Sequence, residues 1–179
     1  GFYTSRLILQ NLGINDYGIY NVIGGTVTLF TFLNTAMGQA TQRFLAFELG
    51  KNNPIRLKHM FSMCLNVHIL IAIIIIILAE IISIWLLYNK LTIPIEKQNT
   101  AFWVLQASII ASVISITQVP YNAAIYAHEK LNIYAIITII DATLKLFIAI
   151  SLSWIDGNRL LYYGFGILGV IIITACLFR

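Results

Sequence analysis

The feature that most constrains this chain is the run ILIAIIIIILAEIISIWLL, residues 69–87, in which Glu80 is the only charged residue. Its β-branched isoleucines would suit a buried strand, but the run is about as long as a helix that crosses a bilayer. Every backbone polar group in lipid needs an internal partner, and a helix supplies one. The run therefore predicts a membrane-spanning helix.

The rest of the chain has the same character. Its 179 residues are 59% hydrophobic and 10% charged, with a mean hydropathy of +0.86. About 20 apolar residues per crossing leave room for five or six crossings and no soluble domain. We predict an all-α polytopic membrane helix bundle with five full transmembrane helices plus the end of a first. Turn signals divide the chain into helices at approximately 1–12, 19–49, 57–88, 98–127, 132–155 and 159–178.

The chain begins with Gly1 rather than Met and ends at Arg179, directly after an apolar run. We therefore expect residues 1–179 to be the N-terminal transmembrane lobe of a longer protein.

The charges predict an orientation but no nucleic-acid partner. The net charge is +4, and the basic residues are spread singly along the chain, without the basic face that nucleic acid requires. Loop cations favour the cytoplasmic side, which is then the side of Lys51, Arg56, Lys58, Lys130 and Arg179, against Lys90, Lys97 and Arg159. Aromatic residues expected in the opposite headgroup layer are Trp85, Tyr88, Trp103, Trp154, Tyr162 and Tyr163.

Polar residues recur at spacings of three and four on three predicted helices. On helix two they allow two interpretations, close packing of small residues or the wall of a hydrated cavity. The amides Asn21, Gln39 and Gln42 favour the cavity, because packing needs only the small residues. The helix-two residues are Asn21, Gly24, Thr28, Thr31, Thr35, Gly38 and Gln42. Helices four and five add Ser108, Ser112, Ser115, Asn122, Tyr134, Thr138, Asp141 and Lys145.

Asp141 and Lys145 lie near the middle of predicted helix five. A charge at mid-bilayer costs on the order of 3 kcal/mol, so both should face protein or water. At i,i+4 they can form an ion pair that only neutralises itself. Alternatively, Lys145 holds an anionic substrate while Asp141 takes part in ion or proton coupling. Arg6 and Arg43 are further basic candidates, although both can snorkel to the interface.

The motifs predict no enzyme, no cofactor and no metal. The segment GFGILG, residues 164–169, matches a dinucleotide fingerprint in letters, but it lies inside an apolar helix, where packing of small residues is the expected use. His59, His68 and His128 lack a second ligand at i+3 or i+4. The sequence has no P-loop and no nucleophile elbow.

Three strings give the chain a resemblance to a known family: LGINDYGIYN at residues 12–21, ATQRF at 40–44 and PYNAAIYAHEK at 120–130. On these, the chain resembles the polysaccharide exporters, the O-antigen-type lipid-linked oligosaccharide flippases. They share a superfamily with the multidrug and toxin extrusion transporters. The resemblance covers essentially the whole chain.

The resemblance implies two lobes around a central cavity in the bacterial inner membrane. The implied function is export of a lipid-linked oligosaccharide or polysaccharide precursor in cell-surface polysaccharide biosynthesis. Its implied partners are an undecaprenyl-pyrophosphate-linked glycan, membrane lipids, the C-terminal lobe and a coupling ion, H⁺ or Na⁺. The alternatives are a cation-coupled multidrug and toxin extrusion transporter and a membrane-embedded glycan polymerase or acyltransferase. The candidate cavity residues are Arg6, Asn21, Thr28, Thr31, Thr35, Gln42, Arg43, Ser112, Ser115, Asn122, Asp141 and Lys145.

Overall fold

The computed structural model describes the backbone of residues 2–28, 31–89 and 93–179. It describes their side chains too, except those of residues 2, 3, 26–28, 31–33 and 88. Over these residues the chain is helical and contains no strand. The elements are α1 (Phe2–Thr28), α2 (Thr31–Gly50), α3 (Pro54–Asn89), α4 (Ile95–Ala127), α5 (Leu131–Ser151), the 3-10 turn η1 (Leu152–Trp154) and α6 (Arg159–Leu177).

Four helices are long and apolar enough to cross a membrane. Among the described residues they cover Pro54–Leu87, Ile95–Ala127, Leu131–Trp154 and Arg159–Leu177. These spans lie close to the predicted helices three to six. Within the described part of the chain, the predicted count of five full transmembrane helices plus the end of a first is not confirmed. The four do not include α1 or α2, as far as these helices are described; α2 carries Asn34, Gln39, Gln42, Arg43 and Glu48 within 20 residues.

The first third of the chain divides differently from the prediction. We expected a helix to about residue 12, a turn, and a second helix over 19–49. The helical geometry does break at Gly13, at φ 78° and ψ 167°, where the predicted turn begins, but α1 resumes directly after it and extends to Thr28. Residues 29 and 30, within the predicted second helix, lie outside the described residues. A left-handed φ is readily available to glycine because it lacks a Cβ. The helix therefore changes direction at one residue and resumes.

Helix α4 is the centre of the bundle. It contacts each of the other five α-helices and runs as one helix through the buried Pro120. Residues such as Ala101 and Val104 are completely buried on it. Because small residues let helix backbones approach closely, the alanine-rich faces of α4 explain why its neighbours pack around it.

Polar and aromatic contacts attach the middle of α1 to one end of the bundle. Asp16 forms an ion pair with Lys97 at the start of α4, and Arg159 of α6 donates to the Asn11 carbonyl oxygen at 3.0 Å. The Tyr20 ring packs edge-on against Tyr163, with centroids 4.7 Å apart. Tyr163 is buried, so this contact helps to hold α1 against α6. Part of the DYGIYN string thus serves to dock α1.

The outer surface of α3 is apolar. Ile73, Ile77 and Ile81, four residues apart on one face, are each about half exposed or more. Such a stripe is suited to contact with lipid tails.

The glycines of GFGILG, in α6, allow this helix to pack closely against its neighbours. A Cβ on Gly164 would lie 3.2 Å from Val104, and one on Gly166 would lie 3.0 Å from Ile148.

Candidate functional site

Two adjoining cavities beside α4 form one polar site. The larger, of about 470 Å³, lies mainly between α2 and α4. The smaller, of about 250 Å³, lies between α4, α5 and α6. Both are lined by Ser115, Gln118, Asn122 and Tyr134, so they adjoin each other and are together termed the polar cleft. Residues from the predicted polar faces of three helices thus meet at one place.

The polar face of α2 both packs closely against α4 and lines the cavity, the two interpretations that the sequence allowed. Thr35, Gly38, Gln39 and Gln42 all line the cleft. A Cβ on Gly38 would lie 3.3 Å from Cγ1 of Val119, so Gly38 allows α2 to approach α4. The amides beside it point to the space that this close packing leaves. On the same face of α2, Gly38 therefore serves packing and the neighbouring amides line the cavity.

The α4 wall contributes an acceptor without a partner. The Ser115 hydroxyl donates to the Ala111 carbonyl oxygen at 2.9 Å, so its donor is already used. By contrast, Oδ1 of Asn122 is buried and has no hydrogen-bond partner among the described residues. A buried, unpaired amide oxygen in an apolar setting costs about 1–3 kcal/mol. A donor supplied by water or a ligand in the cleft would remove that cost.

The α5 wall carries the charges. Lys145 donates from Nζ to Oδ2 of Asp141 at 2.7 Å, the i,i+4 ion pair that the sequence allows. Their side chains remain 39% and 28% exposed, respectively. Lys145 is 14 residues after Leu131, and at 1.5 Å per residue it lies about 21 Å along α5. The pair therefore lies deep in the cleft but still within reach of water or a ligand.

Aromatic side chains line the other end of the cleft. The Tyr126 and Tyr134 rings have centroids 4.7 Å apart, and Tyr134 is 5.9 Å from the Phe178 ring. These residues lie at the α4–α5 loop and at the end of α6. The cleft consequently runs from an aromatic mouth at the predicted cytoplasmic end to the ion pair near the middle of α5.

Six of the twelve predicted cavity residues line the polar cleft, namely Thr35, Gln42, Ser115, Asn122, Asp141 and Lys145. Ser112 is buried, and its hydroxyl donates to the Ile109 carbonyl oxygen at 3.0 Å. Arg6, Asn21 and Arg43 are exposed and do not line either cavity. The side chains of Thr28 and Thr31 lie outside the described residues.

Asn34, Gln118 and Thr174 are polar lining residues that were not among the predictions. Asn34 precedes Gly38 by four residues, and Gln118 lies between Ser115 and Asn122 at the same helical spacing. That spacing could have identified both residues. Thr174 of α6 also lines the cleft, but it lies in an almost wholly apolar helix and has no periodic polar neighbours. Only the packing of α6 beside α5 reveals it.

No protein-family model, curated protein or solved structure matches this chain. The resemblance to the polysaccharide exporters therefore stays a prediction. What the geometry offers is a path of amide and hydroxyl groups with one paired acid and base. Such a lining suits binding of a polar ligand by hydrogen bonds.

Proposed function

We propose that this chain forms part of a transporter that exports a lipid-linked oligosaccharide by alternating access, without covalent chemistry. The observation that carries the proposal is the convergence of polar residues from α2, α4 and α5 on one cleft of the helix bundle. Polar groups are costly in a membrane and commonly mark substrate pathways. A bilayer-embedded path of this kind suits a cargo whose head is polar and whose tail stays in lipid.

The lining chemistry supports a sugar as the polar part. Gln39, Gln42 and Gln118 offer both donors and acceptors to sugar hydroxyls, and Asn122 lines both cavities with a buried Oδ1 that has no partner among the described residues. The tyrosine rings at the mouth give flat apolar faces with a polar tip. A glycan presents hydroxyl groups and apolar C–H faces in alternation, so both kinds of surface would be used.

The cationic part of the proposal is Lys145, which would meet the diphosphate of an undecaprenyl-pyrophosphate-type carrier. A lysine ammonium is a compact point charge suited to phosphate oxygens. Arg43 follows Gln39 by one turn of α2 and is exposed, so we propose it as a contact near the mouth. Arg6 and Asn21 lie on α1, away from the lining of the cleft, and have no role in this proposal.

The open side of the cleft is evidence in favour of a second lobe that covers it. Thr35, Gln39 and Thr138 line the cleft and are exposed. Transporters commonly place such sites near the midplane between two repeated halves. We therefore propose that a C-terminal lobe completes the cavity, in a bacterial inner membrane, with H⁺ or Na⁺ as the coupling ion.

A second candidate is cation-coupled export of small polar or cationic drugs. The observation favouring it is Asp141, the one carboxylate among the described residues that line the cleft. A carboxylate that exchanges its lysine partner for a cation would couple movement of that cation to export.

A membrane-embedded glycan polymerase or acyltransferase would instead alter the covalent structure of the cargo.

The test uses the full-length protein in proteoliposomes. It compares transbilayer movement of a fluorescent lipid-linked oligosaccharide with uptake of a cationic dye, and it checks the cargo by mass spectrometry. Asn122→Leu keeps the side-chain volume and removes the acceptor, and we expect it to slow oligosaccharide movement at least tenfold. Asn66→Leu is the control, because Asn66 is exposed on α3. Dye transport without oligosaccharide movement, or a covalently changed cargo, would contradict the proposal.

A further inference from the structure

A cavity of about 490 Å³, separate from the polar cleft, lies at the predicted cytoplasmic end of the bundle. It is bounded by the ends of α2, α4 and α6 and the start of α3. Leu45, Leu57, Phe61 and Ile125 are among its apolar wall residues. Lys58, Lys130 and Arg179 also line it. We term it the basic-end groove. It adjoins the polar cleft through Phe178, which lines both, but it uses other residues of α4.

The charges of the groove have one sign. None of its described lining residues is acidic. Lys58 and Lys130 are exposed, and neither side chain forms a hydrogen bond or ion pair within the described part of the chain. The Arg179 guanidinium lies over the Tyr121 ring, with its Cζ 5.5 Å from the centroid. The groove therefore combines an apolar wall with unneutralised cations.

The positive-inside rule explains cations at this end, but it requires no groove. Lys51 illustrates the difference. It lies at the same end, outside the groove, and its Nζ is occupied by Glu48 Oε1 at 3.3 Å and by the Phe47 ring at 4.0 Å. Lys58 and Lys130 instead face a cavity with apolar walls at the level where spanning helices end, which is the headgroup layer.

We propose that the basic-end groove binds an anionic phospholipid of the adjacent leaflet, with the phosphate at Lys58 and Lys130 and the acyl chains along the apolar wall. Basic pockets between transmembrane helices on the cytoplasmic side suit such headgroups. A soluble phosphate would use the cations but leave the apolar wall uncovered. The proposal does not depend on the transport proposal, because the two sites have different polar residues.

The test measures lipid binding to the full-length protein by native mass spectrometry and by thermal stabilisation. The probes are phosphatidylglycerol, phosphatidylcholine and inorganic phosphate. Each lysine near an anionic headgroup contributes about a factor of five in affinity, so Lys58→Gln/Lys130→Gln should weaken phosphatidylglycerol binding by about 25-fold. Phosphatidylcholine binding should not change.

Two further variants separate this site from general surface charge. Lys51→Gln/Arg56→Gln removes two cations from the same end outside the groove, and we expect it to bind phosphatidylglycerol within about twofold of the unmodified protein. Lys58→Arg/Lys130→Arg keeps both charges and should retain binding. Equal losses in the two glutamine variants, no loss in either, or equal stabilisation by inorganic phosphate would overturn the proposal. Oligosaccharide transport is measured separately, so loss of one activity does not imply loss of the other.

Discussion

Lys145 donates a 2.7 Å hydrogen bond to Asp141 one turn earlier on α5, and both side chains line the polar cleft. The pair explains how an acid and a base are tolerated within a spanning helix, because each neutralises the other and the cleft keeps both out of hydrocarbon. Asp141 and Lys145 could neutralise each other without lining a cleft. The position of the pair, facing amides and hydroxyls of α4, is what links it to the proposed cargo.

The first prediction concerns the order of the two charges. Exchanging them, in Asp141→Lys/Lys145→Asp, keeps an ion pair and should change the free energy of unfolding by only about 1 kcal/mol. The ammonium moves about 6 Å along the helix, however, which is one turn. We therefore expect oligosaccharide transport by the full-length protein to fall at least tenfold, measured in proteoliposomes with stability followed by thermal unfolding.

The control exchanges an interhelical pair instead, Asp16→Lys/Lys97→Asp, which joins α1 to α4 outside the polar cleft. It should retain transport. If the α5 exchange transports as well as the unmodified protein, Asp141 and Lys145 serve only to neutralise each other, and the substrate role of Lys145 is wrong.

The second prediction concerns the glycines of α6. Gly166→Val places a Cβ 3.0 Å from Ile148, whose branched side chain has few rotamers available in a helix. Overpacking of this kind costs about 1–3 kcal/mol. We expect a lower unfolding temperature in detergent. Gly169→Val makes the same change on the same helix, but a Cβ there meets no atom within 4 Å, so its unfolding temperature should not fall. Equal destabilisation of both variants would contradict a packing role.

The third prediction concerns the polar contact between α3 and α4. Gln106 donates from Nε2 to Oε2 of Glu80 at 3.0 Å. Gln106→Leu leaves the carboxyl group without this donor and should destabilise the protein by about 1–3 kcal/mol. The double variant Glu80→Leu/Gln106→Leu removes both polar groups and should recover most of the loss. A double variant no more stable than Gln106→Leu would show that the hydrogen bond is not the cause.

The fourth prediction concerns orientation. In a background with Cys64→Ala and Cys176→Ala, a cysteine is introduced at Asn132, at the basic end, or at Asp156, at the opposite end; both residues are exposed. On intact cells, a membrane-impermeant maleimide should label Asp156→Cys. It should label Asn132→Cys only after permeabilisation, since loop cations favour the cytoplasm. The reverse pattern would invert the predicted topology.

Several features followed directly from the sequence. The apolar runs predicted the four helices that can span a membrane, because lipid leaves few other ways to satisfy the backbone. Spacings of three and four identified Gln42, Asn122 and Lys145 as residues on polar faces, and these residues do line the cleft. Ser112 shares that spacing but is buried and lines neither cavity, which a pattern of residue types does not reveal.

Other features depended on how the helices pack. The non-helical dihedral angles of Gly13 reduce the expected turn to a kink at one residue, and the approach of α1 to α6 buried Tyr163 against Tyr20. The amino-acid sequence by itself determined the helices and the residue types on each face, since these depend on local spacing and on lipid as solvent. Only the tertiary structure decided which faces meet, which hydroxyls are already bonded and where the cleft remains open, because these depend on contacts between residues distant in the chain.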